Sequence, residues 1–346
     1  MKAFPLAALV VGALLGPQAS RAADPRLSAV DDVVYVLQPD GSASLSAITA
    51  SRFDLAIVDY SSDGTAIGEH SASSVAALRN SGKIALAYLS IGEAESYRYY
   101  WNPSWNSSPP AWLGPENPDF QGNFKVRYWQ PAWRSILFGT PAGPNRSYLD
   151  RILDQGFDGV YLDIIDGFTF WSEERGERSR FEARRDMVAL VQAIARYARV
   201  TRGRRNFLVF PQNGEDLILD DEGELDELGR RYLRTLSGLG VEDVFYDELT
   251  PQDDEAVEFR TTLLQRYVQA GKLILATDYV WDSSAPHSSA NKARYNDFKR
   301  RARAERYVPY AAIRDRGLDE IVRVRRANGF EVAQPQPHNA TTAALP

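Results

Sequence analysis

Acidic and polar side chains recur at the ends of short apolar runs along this chain of 346 residues, and they indicate which chemistry it can perform. One carboxyl group can protonate a leaving oxygen while a second attacks a carbon atom or activates water, as in glycosidic cleavage. Crowding raises the pKa of some carboxyl groups, so that one stays protonated near neutrality while its partner is ionised. The residues at these run ends are Asp59, Glu93, Glu95, Asp163, Asp166, Asn213, Glu215, Glu242, Asp247, Glu248 and Asp278.

A structural interpretation competes with the catalytic one at each of these positions. A single carboxylate can cap the helix that follows it or accept a structural hydrogen bond. This interpretation carries most weight for Asp59, Glu93, Asp247 and Asp278. The combination of so many carboxylates at equivalent positions favours a shared site, in which Asp163 and Glu242 are the leading candidates for catalysis.

The cysteine and histidine content excludes several other kinds of site. No cysteine is present, so a thiol nucleophile, a disulfide framework and thiolate zinc sites are ruled out. The three histidines, His70, His287 and His338, are not spaced like the ligands of zinc hydrolases or metal-dependent deacetylases. A carboxylate site of the glycosidic type needs no cofactor, and none is expected.

The N-terminus indicates export. Lys2, an apolar run from Phe4 to Leu15 and the small-residue region Ser20-Arg21-Ala22 resemble a secretory signal peptide over residues 1–22. The run is too short to span a bilayer, which needs about 20 apolar residues, and a retained anchor is the alternative. We therefore expect a secreted or periplasmic protein without stable membrane insertion.

The net charge argues against a polyanionic partner. The formal charge of −6 becomes −8 once Lys2 and Arg21 leave with residues 1–22. Nucleic acid is therefore not the partner that bulk electrostatics favours, whereas a neutral or cationic substrate fits.

Eight short apolar runs alternate with helical patterns, which predicts an α/β fold. Continuous apolar runs indicate parallel strands that are covered on both faces, and eight of them predict a single (β/α)8 TIM barrel, whose active site lies at the carboxyl ends of the strands. The runs are Val33 to Leu37, Leu55 to Tyr60, Ile84 to Ser90, Gly159 to Asp163, Asn206 to Pro211, Leu236 to Glu242, Leu273 to Thr277 and Tyr307 to Tyr310. The sixth run, with its two glycines, is the weakest.

We predict one domain over residues 23–327, in which helices and loops connect these runs, followed by a disordered tail over residues 328–346. Amphipathic helices are predicted at Phe181 to Val200 and Ala256 to Gly271, and a basic one at Asn291 to Arg306, where a solvated face is preferred over a binding patch. The third strand is followed by a loop from Ile91 to about Ser147 that is unusually long. Its many aromatic rings suit either stacking on sugars or a packed loop core.

Four motifs in chain order resemble glycoside hydrolase family 114, the family of extracellular endo-α-1,4-polygalactosaminidases and their bacterial relatives. The resemblance spans about Val33 to Ala312 and rests on AYLSIGEAESYR, GFDGVYLDIIDGF, PQNGE and GVEDVFYDE. Two departures, Tyr161-Leu162-Asp163 in place of Glu-Pro-Asp and Val241-Glu242 in place of Asn-Glu, indicate a divergent bacterial member.

The resemblance implies a hydrolase of α-linked, galactosamine-containing polysaccharide with Asp163 as nucleophile and Glu242 as general acid/base. Asn213 matches the family's strand-five Asn, and Glu248 is held in reserve for the acid/base role. The residues expected to line the sugar subsites are Asp59, Tyr88, Glu93, Asp166, Asn213, Glu215, Glu248 and Asp278.

Two other classes of protein stay open on the same sequence. A non-catalytic carbohydrate-binding barrel would share the fold without turnover, and a hydrolase that binds Mg²⁺ or Ca²⁺ through clustered carboxylates would share the acidic site. The sequence does not decide the exact polysaccharide, endo or exo attack, retention or inversion, or the oligomeric state.

Overall fold

The structure is a computed structural model, and it describes residues 24–39, 41–143, 145–326 and 328–334. The predicted signal peptide at residues 1–22 lies outside the described residues, as do residues 335–346 of the predicted tail.

All eight predicted core strands are present, and all their pairings are parallel. Strands β1 to β5 form one sheet in sequence order, and β6 to β8 form a second. A parallel bridge between Gln212 and Gly240, together with the bond from Ser237 N to Val209 O (2.9 Å), connects β5 to β6. The bounds are β1 Val33–Val36, β2 Leu55–Val58, β3 Ile84–Ser90, β4 Gly159–Asp163, β5 Leu208–Pro211, β6 Gly238–Glu242, β7 Leu273–Trp281 and β8 Val308–Ile313.

Helices fill the connections between the strands, as expected for an α/β fold. The three predicted helices are confirmed, and the first continues as a π-helical turn over Tyr197–Thr201. Capping is locally encoded: Ser179 and Glu182 form a reciprocal capping box at the start of the longest helix. The helices are α1 Leu45–Thr49, α2 Ala72–Asn80, α3 Pro131–Leu137, α4 Tyr148–Gln155, α5 Arg180–Arg196, α6 Glu227–Thr235, α7 Asp254–Gln269 and α8 Ser289–Ala304.

The two glycines of β6 have a packing reason. A Cβ atom at Gly240 would overlap the hydroxyl of Tyr161 from β4, and one at Gly238 would overlap the ring of Phe210 from β5. Both rings are fully buried, so aromatic side chains from neighbouring strands fill the space that the glycines leave. The two glycines, which made β6 the weakest of the eight strand predictions, are therefore required by the packing of the core.

The long segment after β3 folds as a small unit of its own. Strands Glu93–Glu95, Asn123–Val126 and Leu113–Glu116 form an antiparallel sheet in that order, with α3 beside it. Trp112 and Trp133 are buried with ring centroids 5.0 Å apart, and Trp101 stacks on Phe124 at 4.9 Å. Most of these aromatic rings thus form the core of the segment, and the sugar-stacking interpretation is wrong for the buried ones.

The C-terminal part of the chain corrects one prediction. Strand Arg323–Arg325 pairs with Glu331–Ala333 in an antiparallel hairpin, and Gln334 is buried with its amide bonded to Ala311 O at 2.6 Å. Residues 328–334 therefore do not belong to a disordered tail, because their backbone is paired to a neighbouring strand. Across the described ranges, no helix is both long and apolar enough to cross a membrane.

Short elements complete the described chain. Single turns of 3-10 helix occur at Pro25–Ala29, Gly41–Ala43, Pro103–Asn106 and Glu215–Ile218. A helical turn at Gly167–Thr169 runs into a π-helical turn at Phe170–Glu174, directly after β4. After β6, the two-residue strands Tyr246–Asp247 and Thr250–Pro251 pair in an antiparallel hairpin.

Candidate active site

Asp163 is the last residue of β4 and is half-buried at the carboxyl end of the sheet. The Tyr88 hydroxyl donates to its Oδ2 at 2.7 Å, and the Ile164 N–H donates to its Oδ1 at 2.8 Å. Burial raises the pKa of Asp163 to about 8, the Tyr88 hydrogen bond opposes the rise, and the charge of Glu242 adds to it. Asp163 and Tyr88 are thus brought together as predicted.

Glu242 occupies the equivalent position at the end of β6 and is held from both neighbouring strands. Asn213, after β5, donates its Nδ2 hydrogen to Glu242 Oε2 at 3.0 Å and accepts the Glu242 N–H on Oδ1 at 3.0 Å. Tyr279 of β7 donates its hydroxyl hydrogen to Glu242 Oε1. Both oxygens of this carboxylate are therefore fixed in direction by strand residues, as the positioning of a catalytic group requires.

The two carboxylates belong to one electrostatic site. Glu242 raises the pKa of Asp163, and both raise the pKa of Tyr35, a fully buried residue of β1 that bonds to Gln212 Oε1 at 3.0 Å. Because β5 alone separates β4 from β6, the side chains at their carboxyl ends converge.

Backbone strain is concentrated at the same strand ends. Ile164 directly follows Asp163 with φ 59°, Asp243 directly follows Glu242 with φ 53°, and Asn213 has φ 57°. A left-handed conformation is tolerated by Asn and Asp but is an outlier for a β-branched residue such as Ile. Strain of this kind is characteristic of functional sites.

A second acidic group lies beside the pair. The exposed Asp166 follows β4, and its pKa is raised to about 6 because the surrounding protein desolvates it, with Lys125 opposing and Glu93 and Glu242 adding to the rise. Glu93 itself is buried, pairs with Lys125 Nζ at 2.6 Å and accepts the Asn117 amide at 2.9 Å. Asp166 can therefore meet a ligand, whereas Glu93 is occupied by structural partners.

Asp59 has a structural partner rather than an open position. It is buried, and its Oδ2 lies 2.6 Å from Nη1 of Arg98, a buried arginine of the long segment after β3. Arg98 also binds Glu95 at 2.7 Å through its Nε. Burial raises the pKa of Asp59 to about 6 against the attraction of Arg98. The ion pair anchors the segment after β3 to the end of β2.

Asp278 and Glu215, both expected in sugar subsites, support the backbone near Glu242. Asp278 is fully buried and accepts three backbone N–H groups, those of Val244, Phe245 and Tyr246, at 3.0, 2.9 and 2.9 Å. Glu215 pairs with Arg260 Nε at 2.6 Å, and the same arginine donates to Glu242 O at 2.6 Å. The structural interpretation is thus the correct one for Asp278, and Glu215 acts through Arg260.

Glu248, the reserve for the acid/base role, is exposed in the hairpin turn after β6 with φ 49°. Asp247 beside it is also exposed and lies 3.9 Å from Arg316. The structure therefore distinguishes the two glutamates by position, because Glu242 is the one held between Asn213 and Tyr279.

Sequence reasoning missed Tyr279 and Arg316. Tyr279 is buried in β7, and the guanidinium of Arg316 stands over its ring, 4.2 Å from the centroid. Tyr279 lies next to Asp278, and adjacent residues of a strand point to opposite faces, so only one of the two can turn toward the site. The position of Asp278 was therefore the sequence signal for Tyr279. For Arg316, which follows β8, no sequence signal was present.

The described ranges hold no group of three or more His, Cys, Asp or Glu side chains arranged to bind a metal ion. The acid pair at the ends of parallel strands, with flanking hydrogen-bond donors, is the kind of arrangement that glycoside hydrolases use. Residues 18–329 match the sequence model of glycoside-hydrolase family GH114. The chain belongs to this family.

Relatives and one solved structure are similar to most of this chain. Uncharacterised proteins from Methanocaldococcus jannaschii (41% identical, 83% of this chain and 77% of that protein) and Thermotoga maritima (40% identical, 84% and 83%) are similar along most of their length. The glycoside hydrolase domain of PelA from Pseudomonas aeruginosa is similar in fold, with a TM-score of 0.58 at 20% identity over 84% of this chain and 97% of that one.

Proposed function

We propose that this member of family GH114 is a secreted or periplasmic hydrolase that cleaves α-linked, galactosamine-containing polysaccharide with Asp163 and Glu242. The observation that carries the proposal is the equivalent placement of these two carboxylates at the ends of β4 and β6, where the charge of Glu242 adds to the raised pKa of Asp163. Glycosidic cleavage needs two carboxyl groups on either side of the bond that breaks.

Asp163 acts as the nucleophile in this proposal, and Glu242 donates and then accepts a proton. Atom by atom, an Asp163 oxygen attacks the anomeric carbon while Glu242 protonates the departing glycosidic oxygen. Water, deprotonated by Glu242, then releases the sugar from Asp163. Asp163 must be ionised to attack, and Glu242 must carry the proton that passes to the departing oxygen.

The exposed Asp166 provides a site for a positively charged sugar. Its carboxylate lies near Glu93 and Glu242, in a protein of net charge −6. A protonated amino group on a deacetylated galactosamine unit would be attracted there, whereas an acetylated unit carries no charge. Asn213 and Tyr88, which already touch the two carboxylates, are the other residues proposed to border the sugar.

We further propose that the eight strands close into a (β/α)8 barrel. Two contacts between the ends of the array support this. Leu37 N, just after β1, donates to Leu318 O at 2.7 Å, and Lys299 of α8 lies 3.4 Å from Asp32, which precedes β1. These contacts join β1 to the β8 end of the array, as a closed barrel requires.

The substrate is tested by measuring new reducing ends from three polymers: partly deacetylated α-1,4-galactosamine polymer, its fully acetylated form and a neutral α-glucan. Release from the partly deacetylated polymer, with at most slow release from the other two, is the expected result. Release from the neutral glucan alone would overturn the substrate class but leave a hydrolase.

Two controls separate the proposal from its alternatives. Binding of the polymer without any release of reducing ends would favour the non-catalytic carbohydrate-binding protein. Activity that a chelator abolishes, and that added Mg²⁺ or Ca²⁺ restores, would favour the metal-dependent hydrolase. The proposed mechanism uses only side-chain carboxylates, so turnover is expected to be unaffected by the chelator.

A further inference from the structure

A cleft of about 990 Å³ lies at the opposite end of the strands from Asp163 and Glu242. Its wall includes the residues that precede or begin four successive strands, namely Asp158 before β4, Leu208 of β5, Ser237 before β6 and Lys272 before β7. In barrel-like folds this end serves stability, and the active site lies at the other. A ligand in the cleft would therefore be independent of the proposed hydrolase site.

The cleft is strongly positive in a chain that is negative overall. Among the described residues, seven cationic side chains and the two carboxylates of Asp24 and Asp158 line it, while the whole chain carries −6. Arg26 pairs with both of these carboxylates, and Arg234 pairs at 2.8 Å with Glu227, which is not part of the wall. The cations come from separate elements, so they surround the space rather than form one helix face. They are Arg26, Arg79, Arg199, Arg204, Arg205, Arg234 and Lys272.

Hydrogen bonds to backbone carbonyls hold two of these cations in place. Arg199 donates to the carbonyls of Phe207 and Thr235, at 2.9 and 2.8 Å, and Lys272 donates to Leu236 O at 2.8 Å. A carbonyl satisfies an N–H donor but carries no net charge, so the positive field persists. Burial lowers the pKa of Lys272 to about 8, and the charge of neighbouring Arg199 adds to this lowering.

One donor in the wall is left without a hydrogen-bond partner. Arg79, in the last turn of α2, pairs with Asp158 at 3.0 Å through Nη2, yet its Nε is buried and unbonded among the described residues. An arginine presents five N–H donors in a fixed fork that matches the oxygens of phosphate.

We propose that this basic cleft binds an organic anion through a phosphate group. Positive charge on several sides suits a doubly charged tetrahedral group, whose oxygens point in different directions, better than a planar carboxylate. Leu27, Phe207 and Leu236 add apolar lining, which would accommodate the organic part. The volume lies in the range of pockets that enclose small molecules. A soluble phosphate ester and a phospholipid headgroup share this chemistry.

The proposal is tested by calorimetric titration of the full chain with inorganic phosphate and with phenyl phosphate, at constant ionic strength against chloride. Saturable binding of both, tighter for phenyl phosphate, is expected. Arg79→Gln should weaken it at least about tenfold, since a hydrogen-bonded charge contact is lost. Arg300→Gln, which removes an equal charge from an exposed residue of α8, should leave affinity unchanged.

Arg205→Gln, at an exposed position in the same cleft, provides a second variant. Co-sedimentation with phosphatidylglycerol vesicles separates the two sources: retention that Arg79→Gln abolishes indicates a lipid headgroup, and phosphate binding without retention indicates a soluble ester. No saturable binding above the chloride control, or equal affinities for wild type, Arg79→Gln and Arg205→Gln, would overturn the site.

Discussion

Tyr279 donates its hydroxyl hydrogen to Glu242, so the residue that ends β6 is oriented by a side chain of the neighbouring strand β7. Tyr279→Phe removes this bond and little else, because the ring stays buried. We expect kcat to fall about 30- to 150-fold, as for the loss of one positioning bond of about 2–3 kcal/mol at a catalytic group, with KM changed less.

Tyr246→Phe is the matched control for Tyr279→Phe. Tyr246 is also buried, but its hydroxyl bonds to Asp297 on α8 at 2.8 Å, away from Glu242. Its kcat should stay within about twofold of wild type, since no catalytic contact changes. Equal effects of the two variants on steady-state kinetics would contradict a positioning role for Tyr279.

The pH dependence of kcat/KM distinguishes the roles of the two carboxylates. The pKa of Asp163 is raised to about 8, and kcat/KM reports ionisations of the free enzyme. A nucleophile must be ionised, so kcat/KM should rise with pH along an ascending limb whose apparent pKa lies above neutrality. A descending limb in that same range would instead identify Asp163 as the proton donor and reverse the assignment.

The raised pKa of Asp163 also predicts a pH-dependent gain in stability for Asp163→Asn. A carboxyl group whose folded pKa exceeds its unfolded value favours folding while protonated, and that contribution is lost as pH rises from about 4 through about 8. Above pH 8 the variant should therefore be more stable than wild type by on the order of 2 kcal/mol. Near pH 4 both forms are neutral at this position, and the difference should shrink.

Urea unfolding of wild type and Asp163→Asn at pH 4.5 and pH 8.5 measures this difference directly. Asp247→Asn, an exposed carboxylate outside the pair, controls for the general loss of one negative charge. A stability gain for Asp163→Asn that is the same at both pH values, or that Asp247→Asn reproduces, would rule out the raised pKa.

Gly240→Ala should destabilise the protein through a clash in the core. Its Cβ would overlap the hydroxyl of Tyr161, which is buried between β4 and β6. Overpacking of this kind costs about 1–3 kcal/mol of unfolding free energy. As a single substitution, Tyr161→Leu should also lower the unfolding free energy. In the double variant it should relieve the clash with the new Cβ atom, so a double-mutant cycle should give a favourable coupling energy. Additive effects of the two substitutions on unfolding free energy would show that the overlap is not the cause.

The strands and main helices were predictable because continuous apolar runs and helical spacing record burial on each face. The position of Glu242 at the end of β6 was predictable too, although the glycines of that strand obscured it. These glycines are required because the rings of Tyr161 and Phe210, from other strands, occupy the space beside them, and no local sequence pattern reveals such a contact.

Individual roles around the site were harder to predict than the site itself. Asp59, Asp163 and Asp278 look alike in sequence, since each follows an apolar run. The structure separates them by partners that come from distant segments: Arg98 for Asp59, Tyr88 for Asp163, and backbone N–H groups after β6 for Asp278. The strained backbone at Ile164 left no trace in the sequence, because Ile is a residue that such a conformation disfavours.

The central claim is tested most directly by measuring reducing ends released from partly deacetylated galactosamine polymer by wild type, Asp163→Asn, Glu242→Gln and Glu248→Gln. Losing either member of a carboxylate pair should reduce kcat at least about a thousandfold in a folded protein, whereas Glu248→Gln, at an exposed turn, should retain wild-type activity. Activity that survives in Asp163→Asn or Glu242→Gln, or that is lost in Glu248→Gln, would contradict the proposed pair.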